Sequence, residues 1–299
     1  MTRAEALERL RARLEAAGIE SADQEAVWLL AHVLRMPPGS LRASRNEPLA
    51  PEHEDTLEAM ATRRERHEPL QLILGDVPFH GVTLQVEPGV FIPRPETEEL
   101  VEAVLETLSA ARPPLSLRAP GPGHRLLDLG TGTGAIAVAL LRALPDWTGV
   151  AVDRSPVAVA LAARNGHRNG VGERLRAVVG DFASPAPAAW LEDRPFDLVA
   201  SNPPYIPRDV IPTLMPEVRD HDPLEALDGG PDGLDAFRQL AARLPLWLRP
   251  GGLVALEIGA DQADTVVGIL SPHIRDARVL SDRAGLPRIV IGIQRSGDA

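Results

Sequence analysis

The chain has 299 residues, a net charge of −11, a pI near 5.2 and no cysteine. No disulfide scaffold or thiolate metal site is therefore possible, and no run approaches the ~18 uncharged apolar residues of a membrane span. The acidic balance suits a basic or neutral protein partner better than duplex DNA, whose phosphates call for a basic face; all 31 basic residues are arginine.

The N-terminal MTRAEALERLRARLEAAG intersperses charges among its apolar residues. It reads as neither signal nor transit peptide, which makes the cytoplasm the expected compartment. Thr2 with Glu5, and Ser21 with Gln24, have the spacing of capping boxes, in which a cap hydroxyl and the N3 side chain satisfy orphan amides. Leu7, Leu10 and Leu14 follow the first, and Val27, Leu30 and Leu34 the second, at helical spacing. Pro51, favourable at the first helical position, starts a third helix running to about His67. Residues 1–75 thus predict a small all-α domain. Val82, Leu84 and Val86 alternate with polar neighbours, so 76–92 reads as a hairpin linker into a second domain, 93–299.

A helix follows Pro95, with Leu100, Val101, Val104, Leu105 and Leu108 on one face, and Ala111–Gly123 breaks all periodicity as a loop. From there strands and helices alternate. Leu126–Leu129, Gly149–Val152, Leu175–Val179, Phe196–Ala200 and Leu253–Ile258 are the strands, with helices at about 134–144 and 156–168. Arg278–Ser281 and Arg288–Ile293 form a closing antiparallel pair. This is an α/β pattern, a doubly wound sheet with helices on both faces. The eight histidines keep no ligand spacing, and no metal is expected.

LLDLGTGTGAIAVAL places Gly130, Thr131, Gly132, Thr133 and Gly134 between a strand and a helix. Such a turn lets a ligand lie close against the backbone, and it fits a dinucleotide as well as S-adenosylmethionine. Asp153 ends the next strand, where a carboxylate accepts from a ribose diol of either cofactor, or caps the helix that starts near Ser155. Asp181-Phe182 ends the third strand. The acid suits an exocyclic amine and the ring an adenine face, although a surface turn explains the pair too.

The fourth strand runs into Asn202-Pro203-Pro204-Tyr205, which contains the single tyrosine of the chain. Consecutive prolines fix φ and remove amide donors, so the loop leaves the strand tip rigidly. An amide nitrogen is a poor nucleophile because its lone pair is delocalised. An Asn carbonyl and a nearby backbone carbonyl that accept both N–H bonds orient it and stabilise charge developing on nitrogen. A tyrosine face holds a flat amide by stacking. The predicted chemistry is methyl transfer to a planar amide.

The pairing of DLGTGTGAIA with SNPPYI, the helical front, FIPRPETEELVE and ALDGGPDGLDAFR together resemble the release-factor glutamine N5-methyltransferases. The resemblance covers nearly the whole chain. It implies a class I methyltransferase fold, with a seven-stranded, mostly parallel sheet, and S-adenosyl-L-methionine as methyl donor, leaving S-adenosyl-L-homocysteine. It implies as substrate the glutamine of a Gly-Gly-Gln loop in peptide chain release factors, with neither nucleic acid nor membrane as partner. Gly130 to Gly134 and Asp153 would line the donor, Phe182 would stand where the family often has tryptophan, and Asn202 to Tyr205 would hold the glutamine, Asn202 also touching the donor. Arg94 and Thr97 would lie near the methionine end of the donor. Asp222-Pro223 stands where the family pattern has Glu-Pro. A glutamine methyltransferase of a ribosomal protein shares the same loop. An adenine-N6 methyltransferase would need a basic cleft and a target-recognition region, and an NAD-dependent dehydrogenase or a binding module would leave the loop idle.

Overall fold

The computed structural model describes residues 1–110, 123–183 and 195–296. The loop expected over Ala111–Gly123 therefore lies outside the described residues except for Gly123. The chain divides into two units, Met1–Asp76 with Met215–His221, and Val77–Leu214 with Asp222–Ala299.

The first unit is helical: α1 (Arg3–Ala16), α2 (Ala22–Val33), α3 (Pro51–Arg64) and the short α4 (Leu70–Leu74). Thr2 and Glu5 form the expected reciprocal capping box. The box expected at Ser21 does not form: its side chain caps no amide, and its hydroxyl donates to Glu25 Oε1 at 2.8 Å instead. Ser21 has φ −92° and ψ 25° rather than the extended backbone of a cap, so its oxygen accepts from no first-turn amide, while Arg64 holds the Glu25 carboxylate at 2.5 Å. Leu10, Leu14, Leu29, Leu30, Leu57 and Met60 pack the core of this unit. The segment Met215–His221 belongs here through Glu217, which pairs with Arg64 at 3.1 Å and with His67 at 2.9 Å.

From Val77 the second unit takes in the β1 (Asp76–Phe79) and β2 (Val82–Gln85) hairpin, of which Asp76 closes the first unit, and α5 (Pro95–Ala110). Strand and helix then alternate through β3 (His124–Leu129), α6 (Ala135–Ala143), β4 (Trp147–Asp153), α7 (Pro156–Arg168), β5 (Leu175–Val179) and β6 (Phe196–Ser201). After three short helical turns, one of them in the Met215–His221 segment of the first unit, come α8 (Asp235–Trp247), β7 (Leu248–Glu257), α9 (Ala263–Leu270), β8 (Ile274–Ser281) and β9 (Pro287–Gln294). The sheet order is β5-β4-β3-β6-β7-β9-β8, parallel except for β9, which runs antiparallel to both its neighbours. This is the doubly wound sheet that the alternation predicts, with the seven, mostly parallel strands that the resemblance implies.

The strands are apolar on both faces because both are covered. Leu126, Ala151, Leu198 and Ala255 join the core beneath α5 and α6, while Leu127, Val150, Val199 and Val254 join the core beneath α8 and α9. The order reverses between β3 and β6, leaving a crevice at their carboxyl ends, the topological switch point where open α/β sheets bind ligands. No described helix is long and apolar enough to cross a membrane.

Candidate active site

At the tip of β3 the backbone folds over its neighbour. The amides of Gly130 and Thr131 both donate to the Val152 carbonyl of β4, at 2.9 and 3.0 Å. Gly134 has φ 83°, and a Cβ there would meet the Ala162 Cβ at 3.0 Å, so this position is glycine because α6 and α7 approach closely. The Thr133 carbonyl accepts from the Asn165 side chain at 2.9 Å. Behind the turn Asp128 is fully buried, with Oδ2 accepting from the Thr131 hydroxyl at 2.6 Å and the Ala137 amide at 3.2 Å. Burial pushes its carboxyl up to about 7.

Asp153 holds the turn from the tip of β4. Its Oδ2 accepts from the Gly132 amide and its Oδ1 from the Ser155 amide, both at 2.9 Å. A carboxylate oxygen has two lone pairs, so each keeps one for a further donor. Ser155 itself caps α7 through the Ala158 amide at 3.3 Å. At the end of β5, Asp181 accepts from the Ala183 amide at 2.7 Å and Phe182 packs on the core beneath α8.

The loop after β6 is held by side chains from distant elements. The Ser201 hydroxyl ties the strand tip to the Leu129 carbonyl at 2.6 Å. The Asn202 Nδ2 donates to the Thr97 Oγ1 at 3.0 Å, and Thr97 in the first turn of α5 donates to Glu257 Oε2 at 2.7 Å. Pro203 is buried and Pro204 half-buried. The Tyr205 hydroxyl donates to Glu257 Oε1 at 3.3 Å, and burial and the Glu257 charge hold its phenol protonated, far above its ordinary value. Gln262 accepts from the Gly259 amide and donates to the carbonyls of Tyr205, at 3.0 Å, and Gly233, at 3.2 Å. Gly233 has φ 75°, and a Cβ there would run into the Tyr205 carbonyl oxygen. Ile206 bridges in parallel to Asp228, so the ALDGG segment extends the support.

Arg94 is clasped by the buried Asp222 carboxylate and lies over the Phe91 ring, 5.2 Å from its centroid. Asp222 also accepts from the Ile92 amide at 3.4 Å, so the aspartate that replaces the expected glutamate is engaged in fixing this stretch.

The fold thus gathers the glycine turn, Asp153, Asp181-Phe182 and the Asn-Pro-Pro-Tyr loop at the carboxyl ends of four adjacent strands. Thr97 stands against Asn202 and Glu257. Reading along the chain missed Glu257, Gln262 and Asp128. The available signal was a lone carboxylate closing the apolar strand LVALE, a costly residue to bury without a use. Among the described residues no cluster suits a metal ion.

A family model for the PrmC N-terminal domain matches residues 5–75, and one for a methyltransferase domain matches residues 126–221. The release factor glutamine methyltransferase of Gloeobacter violaceus is 46% identical over 255 residues, 84% of each chain. That of Geobacter sulfurreducens is 40% identical over 283 residues, covering 94% of this chain and 93% of its own. That of Moorella thermoacetica is 38% identical over 297 residues, 99% of both. Over nearly its full length, with both of its units, the chain belongs to the family of release factor glutamine methyltransferases.

Proposed function

We propose that the chain methylates the side-chain amide nitrogen, N5, of the glutamine in the Gly-Gly-Gln loop of peptide chain release factors, using S-adenosylmethionine in the cytoplasm. The observation that carries this reading is the Asn202 carboxamide. Its NH2 end is committed to Thr97, which leaves its oxygen as the acceptor at the tip of β6.

The residues of the crevice fit the donor. Nothing lies within 4 Å of a Cβ added at Gly130, so the turn has room for a ligand against its backbone. Asp153 keeps a lone pair on each oxygen for a ribose diol, Asp181 and Phe182 suit an adenine, and Arg94 and Thr97 flank the methionine end. Bound S-adenosylmethionine supplies an electrophilic methyl group on a sulfonium that leaves as a neutral thioether. The side chains here do the rest. The Asn202 oxygen and the Pro203 backbone carbonyl accept the two N–H bonds of the glutamine amide, which directs the nitrogen lone pair and stabilises the positive charge that grows on it. The Tyr205 ring holds the amide plane, and its phenol stays neutral. The methylated nitrogen sheds its proton readily, so no strong base is required.

Residues 1–75 supply partner recognition in this reading. A three-residue loop offers few contacts and is ordered at an entropic cost, so a second surface has to contribute affinity. Rates on intact release factor and on a Gly-Gly-Gln peptide, for the full chain and for one beginning at Val77, test this with folding checked by circular dichroism. Selective loss on the intact factor is expected. Equal loss on both substrates would make the front unit a stabiliser only.

A further inference from the structure

Glu257 lies outside the motifs that announce the chemistry, yet it is 1% exposed at the last position of β7 and bonds Tyr205 at the end of the catalytic loop and Thr97, the partner of Asn202 at its start. Burying a carboxyl is costly unless its lone pairs are used. Here both oxygens are used, one by Thr97 and the other by Tyr205.

We infer that Glu257 is a positioning residue: acting through Thr97, it fixes the Asn202 carboxamide with its oxygen toward the methyl acceptor. This rests on the reading of Asn202 as the acceptor of the substrate N–H. The argument is one of hydrogen-bond polarity. Above about pH 7 the Glu257 carboxyl is ionised and only accepts. Thr97 has a single hydroxyl proton, and giving it to Glu257 at 2.7 Å leaves Thr97 Oγ1 only its lone pairs toward Asn202. The atom of Asn202 that faces Thr97 at 3.0 Å must then be the donor, the NH2 group. The two ends of a carboxamide are nearly the same shape, so packing alone does not choose between them. The carboxylate two bonds away chooses. Without it the Thr97 proton is free to bond the Asn202 oxygen, which turns the NH2 toward a substrate that is itself an N–H donor.

The wiring is tertiary. Thr97 comes from the first turn of α5, Asn202 from the tip of β6 and Glu257 from the tip of β7. Glu96 on α5 and Arg288 on β9 act on the same carboxyl with opposite signs, the first opposing its charge and the second favouring it. Tyr205 donates to its other oxygen, so the same group that orients Asn202 also fixes the ring across the loop.

The test compares the full-length protein with Thr97→Val, Thr97→Ser, Glu257→Gln and Asn202→Ala. The side-chain amide resonances of Asn202, assigned by their loss in Asn202→Ala, report orientation without any substrate. One of the two protons is expected to be shifted downfield and protected in the wild type and in Thr97→Ser. In Thr97→Val it should move to the position of a free carboxamide, and in Glu257→Gln the pair should double or broaden as both orientations fill. With intact release factor at saturating S-adenosylmethionine, Thr97→Val should lower kcat about 10- to 100-fold, the scale of a misplaced transition-state contact, a larger change than in KM or donor Kd. Thr97→Ser should recover most of that loss. Unchanged Asn202 resonances in both Thr97→Val and Glu257→Gln would overturn the inference, as would altered resonances with wild-type kcat. Full turnover by Asn202→Ala would overturn the role of Asn202 in the reaction, while the resonances would still decide whether Glu257 orients it.

Discussion

The turn after β3 and the loop after β6 sit on adjacent strands and owe their rigidity to different parts of the chain. The glycine turn is held by its neighbours in sequence and in the sheet: Val152, Asp153 and Asp128 bond its amides and hydroxyl directly. The Asn-Pro-Pro-Tyr loop is held by Thr97, Glu257 and Gln262, which are 105, 52 and 57 residues away from the atoms they bond. A site that only has to admit a donor works with backbone shape. A site that has to aim one oxygen at a developing charge needs side chains of known polarity behind it.

Replacing the aimed group should have the largest effect. Asn202→Ala is expected to lower kcat by about 100-fold or more, because the contact it removes matters most as charge develops on nitrogen, with donor affinity little changed. Asn202→Asp sharpens the point: it keeps an acceptor but has no NH2 for Thr97, so the Thr97–Asn202 bond should fail while an oxygen still faces the substrate. On the other tip, Asp153→Ala should weaken S-adenosylmethionine binding by about 1.5–3 kcal/mol, the scale of hydrogen bonds to a charged group, as read by calorimetry. Turnover at saturating donor should fall much less. An unchanged Kd would remove Asp153 from the donor site.

Gly233→Ala probes the support of the loop. A side chain at φ 75° costs on the order of 1–3 kcal/mol, and the new methyl also displaces the Tyr205 carbonyl held by Gln262. A lower thermal midpoint together with a lower kcat is expected. A lower midpoint alone would mean that the loop keeps its shape without that carbonyl.

The gentlest expected change is a slope. Burial raises the Glu257 carboxyl from 4.5 to about 7, and Glu96 adds to this while Thr97 and Tyr205 oppose it. The folded protein therefore holds a proton there that the unfolded chain has released, so this contribution to stability is full below pH 4.5 and is lost as pH rises toward about 7. Thermal midpoints should fall over that window, and Glu257→Gln, which does not titrate, should flatten the fall while Asp128 keeps its own share. An equal slope in the variant would mean that Glu257 stays ionised throughout.

The difference between the two tips is also a difference in what the sequence reveals. Gly130 to Gly134 and Asp153 stand beside the strands they serve, so strand, turn and helix are readable together, and β5 lies where Leu175–Val179 was expected. Asn202 to Tyr205 announce themselves by two prolines at a strand end. Their supports do not, because Thr97 reads locally as a residue of a proline-initiated helix and Glu257 as the end of an apolar strand. At Ser21 the hydroxyl donates to Glu25, whose carboxylate is held by Arg64 from 39 residues beyond, a partner that local spacing does not show. Local spacing predicts local bonds, and it is silent on the partners that only the fold brings in.

In the proposed reaction these two tips together move a methyl group to a glutamine amide of a release factor. The most direct measurement is incubation of the full chain with labelled S-adenosylmethionine and, in parallel, intact release factor, ribosomal protein and DNA, followed by mass spectrometric mapping of the labelled residue. One methyl group on the glutamine of the Gly-Gly-Gln loop, with ribosomal protein and DNA unlabelled, is the predicted result. Label on ribosomal protein or adenine with none on the release factor, or on a release factor residue other than that glutamine, would contradict it.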